Sequence, residues 1–112
     1  MTTKEVADMI AETGLPYAYY QFDPDPNNPP PDPPFICFYY PYDNDVKADD
    51  INYARINHLI VELYTDNKDF TVEGTVEAVL LSYALPFRKT EAYVDTEKMY
   101  QITYEMEVVI NG

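Results

Sequence analysis

Residues 100–110, Tyr100-Gln101-Ile102-Thr103-Tyr104-Glu105-Met106-Glu107-Val108-Val109-Ile110, decide the fold. Tyr100, Ile102, Tyr104, Met106, Val108 and Ile110 share one side of a two-residue repeat, and Gln101, Thr103, Glu105 and Glu107 share the other. That is the pattern of a half-buried strand, whose apolar side must be covered by another layer. Immediately upstream, 87–94 can pair with 99–110 as an antiparallel hairpin turning over 95–98.

The covering layer is read from the segment before it. Val72, Val76, Val79, Leu80 and Tyr83 recur at offsets of four, seven, eight and eleven, an apolar stripe along one helix face, with a turn and cap region at 66–69. Gly74 weakens this helix by about 1 kcal/mol relative to Ala and would let a neighbouring element approach closely. Further upstream, 57–65 reads as a strand with Leu59, Val61 and Leu63 toward the core and His58, Ile60, Glu62 and Tyr64 on the opposite side.

Toward the N-terminus, Thr2 and Glu5 have capping-box spacing, and Val6, Met9 and Ile10 follow at helical intervals. Gly14, Leu15 and Pro16 then stop the helix, giving it a span of 3–13. Residues 17–22 and 35–40 read as two strands, expected to pair as a hairpin. Between them 23–34, DPDPNNPPPDPP, is a proline-rich loop, stiff, acidic and projecting, since fixed φ and missing amide hydrogens favour polyproline II. Residues 41–50 carry Asp43, Asn44, Asp45, Asp49 and Asp50 as a solvated connection. The expectation is a single α+β domain over 1–112, in the order α-β-β-β-α-β-β, with two helices on a mainly antiparallel or mixed sheet.

Composition narrows the function. The 112 residues are 46% hydrophobic, with 12 Tyr, 5 Phe and no Trp, so the chain has the material for one modest core. Against 20 acidic side chains stand 7 basic ones, a net charge of −13. Phosphate neutralisation by Lys and Arg is therefore unavailable, which argues against direct, sequence-specific nucleic-acid binding. The same excess repels like subunits, so any oligomer should be salt-sensitive. Residues 1–10 lack the basic and apolar pattern of a secretory signal. The apolar runs fall far short of the roughly 20 residues that cross a bilayer, and a soluble protein without membrane contact is expected.

The chain is poor in catalytic groupings. His58 is the only histidine and Cys37 the only cysteine, so no triad, thiolate cluster or disulfide follows from sequence. His58 reads as a strand-surface side chain, and Cys37, among Ile36, Phe38 and Tyr39, as an inert core thiol with a raised pKa. Glu105 and Glu107 stand roughly 7 Å apart on one strand face, a spacing open to a hydrolytic pair but more usual for solvated acids or a contact to Lys or Arg across a subunit boundary. Asp43 and Asp45 open like a calcium loop, but Ala48 and Ala54 stand where the turn glycine and closing glutamate belong. With three glycines in all, no phosphate-binding loop exists. No enzyme activity, cofactor or metal is expected. Tyr19, Tyr20, Tyr39, Tyr40 and Tyr42, with their apolar bodies and polar tips, read as interface anchors.

Segment 56–70 (INHLIVELYTDNKDF), Val76 and Glu77, then Lys89, Thr90, Glu91, Tyr93, and 99–108 resemble a family of small prophage proteins of Gram-positive bacteria. The resemblance covers roughly residues 35–110. Those proteins are encoded among tail morphogenesis genes and are similar to tail terminator, or tail completion, proteins of long-tailed phages with noncontractile tails. The resemblance implies an α+β subunit that caps the tail tube as a hexameric ring and joins it to the head connector. It also implies a virion location at the head-to-tail interface after synthesis in the host cytoplasm. The implied partners are other copies of the chain, the tail tube protein and a connector or stopper protein. It carries no catalytic motif, and the proline loop stands outside it. An acidic lumen would repel DNA phosphate and ease its passage, a role suited to Asp43, Asp45, Asp49 and Asp50 on the channel or a ring face. Tyr19, Tyr20, Tyr39, Tyr40, Tyr42, Glu105 and Glu107 would serve subunit or partner contacts. Alternatives are a head-completion or stopper component, an acidic DNA mimic, and a hydrolase using Glu105 and Glu107.

Overall fold

A computed structural model describes residues 1–42 and 55–111. Its elements are α1 (Thr3–Ala11), β1 (Tyr17–Tyr19), β2 (Phe35–Tyr39), β3 (Ile56–Thr65), α2 (Phe70–Ser82), β4 (Arg88–Val94) and β5 (Met99–Val109). This is the α+β order expected from sequence, built on a five-stranded mixed sheet, β1-β2-β3-β5-β4.

The alternation in β5 sets the centre. Leu59 lies opposite Met106, Val61 opposite Tyr104 and Leu63 opposite Ile102, all on one face. Val6, Met9 and Ile10 of α1 and Val76 and Leu80 of α2 close over that face, and every one of these helix residues is essentially fully buried. β5 pairs antiparallel with both β3 and β4. β3 and β4 are therefore parallel to one another, and the β3–α2–β4 path is a crossover with β5 inserted in its middle. α1 begins with the expected capping box, in which the Thr2 hydroxyl accepts from Glu5 N at 3.0 Å. It ends two residues sooner than the 3–13 span, at Ala11, and Gly14 turns the chain away at φ 76°. Among the described residues no helix is long and apolar enough to cross a membrane.

Two expectations are corrected. β1 and β2 do not form a hairpin: they pair in parallel, Tyr17 beside Ile36 and Tyr19 beside Phe38. Parallel neighbours need a connection of a dozen or more residues, and 20–34 supplies it, so the proline-rich segment is a crossover rather than a hairpin loop. Tyr20, at φ 68°, ends β1 after three residues and starts this detour. Nor does Gly74 admit a close neighbour, since a Cβ built there meets nothing within 4 Å. Gly74→Ala is therefore expected to raise stability by about 0.5–1 kcal/mol, read as a higher urea midpoint with unchanged slope.

Candidate functional site

Among the described residues the helices cover one face of the sheet, and the alternate side chains of each strand build the other. Cross-strand register sets out its rows. Phe35, Tyr64, Gln101 and Ala92 form one. Ala18, Cys37, Glu62, Thr103 and Thr90 form the next. Beyond them lie Tyr39, Ile60, Glu105 and Arg88, then His58 beside Glu107.

The first rows are aromatic. Phe35 stacks on Tyr64 at 5.1 Å between centroids, and Phe22, from the proline-rich crossover, meets Phe35 edge-on at 5.3 Å. Tyr20 leans on Tyr39 at 5.2 Å. With Pro30, Pro31 and Pro33 as a wall, these rings border a groove of about 890 Å³. Glu62 stands in the groove, accepting from Tyr64 Oη at 3.2 Å and Gln101 Nε2 at 2.6 Å. Burial pushes the Cys37 thiol up to about 11 with the Glu62 charge adding to it, and the Tyr64 hydroxyl rises for the same two reasons. Cys37 is buried as expected, but it belongs to this second face rather than to the cluster under the helices that holds Ile36 and Phe38.

The far end of the face is polar. Tyr42 stacks on His58 at 4.6 Å and 8°, and Glu105 Oε2 lies 3.8 Å from His58 Nε2. Glu105 and Glu107 share this face, with Arg88 opposite Glu105 in register. The predicted tyrosine group is split by the sheet. Tyr20, Tyr39 and Tyr42 gather on the open side, whereas Tyr19 and Tyr40 lie on the helix side, where Tyr40 N donates to Tyr19 Oη at 3.2 Å. The cause is the strand period itself: neighbours such as Tyr39 and Tyr40 must point oppositely. Asp43, Asp45, Asp49 and Asp50 lie outside the described residues.

One cluster was missed from sequence. Glu73 of α2 is 1% exposed, with Lys68 Nζ 2.6 Å from one carboxylate oxygen and Lys89 Nζ 2.8 Å from the other. Lys89 also reaches Glu77 at 2.8 Å, Tyr104 Oη donates to Glu77 at 2.7 Å, and Lys68 contacts Glu91. Burial alone would raise the Glu73 pKa, but the two lysines outweigh it and hold the carboxyl below its ordinary value. The readable signal was Lys89 and Glu91, two apart on β4 and hence on its helix side, facing acids one turn apart on α2. This cluster fastens α2 to the sheet edge. Among the described residues no group of three His, Cys, Asp or Glu side chains converges as a metal ion would require.

The sequence matches no family model and no curated protein. The fold is similar to that of a chain in the solved virion of a native gene transfer agent (GTA) particle, with a TM-score of 0.61 at 16% identity. The likeness spans 98% of this chain and 89% of the other. At that identity what the two share is the fold.

Proposed function

We propose that this chain is a structural virion protein, a tail terminator that closes the tail tube as a ring and joins it to the head connector. The observation that carries the reading is the end-to-end likeness in fold to a chain of a virion particle. The sequence resemblance to tail-completion proteins points the same way.

Ring closure by cyclic symmetry requires two different surfaces to meet head to tail. The sheet offers two unlike edges, the short β1 beside the proline crossover and the long β4, six of whose seven residues are exposed. Joined through those edges, subunits would bury backbone groups that the isolated chain leaves at the margin. The open face, with Tyr20, Tyr39, Tyr42, Glu105 and Glu107, would meet partners. In a hexamer, Asp43, Asp45, Asp49 and Asp50 would give the channel or a ring face its negative charge, repelling DNA in transit.

Deleting the gene from a particle-producing strain, with a complemented strain as control, tests the role by electron microscopy of the lysate. The expected result is filled heads separated from tails of abnormal length. Normal, joined, infectious particles would remove the virion role.

A further inference from the structure

We propose that the groove between the proline-rich crossover and the open sheet face binds a segment of a partner protein that presents an arginine flanked by apolar residues, the guanidinium meeting Glu62. The inference goes beyond tail assembly and stands whether or not that reading holds.

Three features define the occupant. The walls are aromatic faces and prolines, which suit apolar side chains and the flat face of a guanidinium stacked on Tyr or Phe. The polar lining carries Glu62, Asp66 and Glu97 against the single cation Lys98. Among the described residues none of these three acids has a Lys or Arg within ion-pair distance, and both protein donors to Glu62 are neutral. A carboxylate offers about four lone-pair positions. Tyr64 and Gln101 take one each, leaving Glu62 with acceptor capacity inside the groove.

Arginine satisfies these demands better than lysine. Its planar fork can bond a carboxylate while its face lies on a ring, whereas an ammonium keeps more of its hydration. A second copy of this chain would have to overcome the repulsion between two bodies of net charge −13 to enter the groove. Lys4, Lys68 and Lys89 of such a copy are already paired with their own acids, and Arg88 lies in register with its own Glu105.

The test titrates the isotope-labelled full chain, followed by NMR, with a capped peptide carrying arginine between leucine and proline. The same peptide with citrulline, arginine's neutral isostere, is the control. Saturable shifts are expected at Phe35, Cys37, Glu62 and Tyr64, with affinity roughly tenfold or more lower for citrulline, the size of one charge-assisted bond. Glu62→Gln should produce a similar loss. Glu97→Gln, in an exposed turn where folding is not at risk, should produce a smaller one. Equal affinity for both peptides, shifts centred elsewhere, absence of saturable shifts, or displacement of the peptide by self-association on concentrating the protein would each overturn the proposal.

Discussion

Lys89→Met is expected to lower the unfolding free energy by about 3 kcal/mol, because removing one partner of a buried ion pair strands the other. Glu73 would keep Lys68 alone, and Glu77 would keep the Tyr104 hydroxyl alone. Partial exposure of Lys89 places the cost at the low end of what such breaks produce. Chemical denaturation at neutral pH measures it. Replacing Glu73 by Leu in the Lys89→Met background should recover much of the loss, since the orphaned charge is then exchanged for packing. A single variant within a few tenths of a kcal/mol of the parent would mean that the lysine is dispensable to the α2–sheet contact.

The pH dependence of the same variant has a defined sign. In the parent the folded Glu73 pKa lies below the ordinary value of 4.5, so its stabilisation is complete above that pH and is lost as pH falls through the folded pKa. Without Lys89, burial of Glu73 is opposed by Lys68 alone, and the carboxyl protonates more readily in the folded state. The gap between parent and variant should therefore narrow as pH falls from 7 toward 4. Lys89 itself has a raised pKa, owing to Glu73 first and Glu77 second, so its contribution is present below 10.5 and fades as pH rises through the folded value.

The hairpin of β4 and β5, the core side of β3 and the stripe on α2 were legible because in each the period of apolar residues matches one element and one buried face. Val76 and Leu80 lie fully buried, while Val72, Val79 and Tyr83 flank them. What escaped was direction and pairing. Nothing in 17–22 or 35–40 encodes whether two short strands run together or opposed, because that is set by where the proline segment delivers the chain. Reading helices by their apolar stripe likewise passes over Glu73, a charged residue whose burial becomes tolerable only when Lys68 and Lys89 arrive from other elements. The placement of the tyrosines was half legible. Strand alternation alone separates Tyr39 from Tyr40, yet the groove around Glu62 needs the crossover, β2, β3 and the β4–β5 turn together.

Tyr104→Ala should cost about 4 kcal/mol, as expected for emptying a large aromatic site that the surroundings only partly refill. Tyr104 is fully buried on β5, packed edge-on against Phe87 at 5.0 Å, with Lys89 Nζ 6.0 Å from its ring centre. Its hydroxyl, raised in pKa by burial first and by its bond to Glu77 second, is a neutral donor into the Lys68–Lys89 cluster. Tyr104→Phe keeps the ring and removes only that donor. Because Glu77 retains Lys89, the expected cost is about 1–2 kcal/mol, that of a hydrogen bond to a charged group. Urea denaturation of the two variants separates the contributions. A small Phe effect beside a large Ala effect assigns the site to packing, whereas near-equal losses would make the hydroxyl, and with it the α2 attachment, the dominant role of Tyr104.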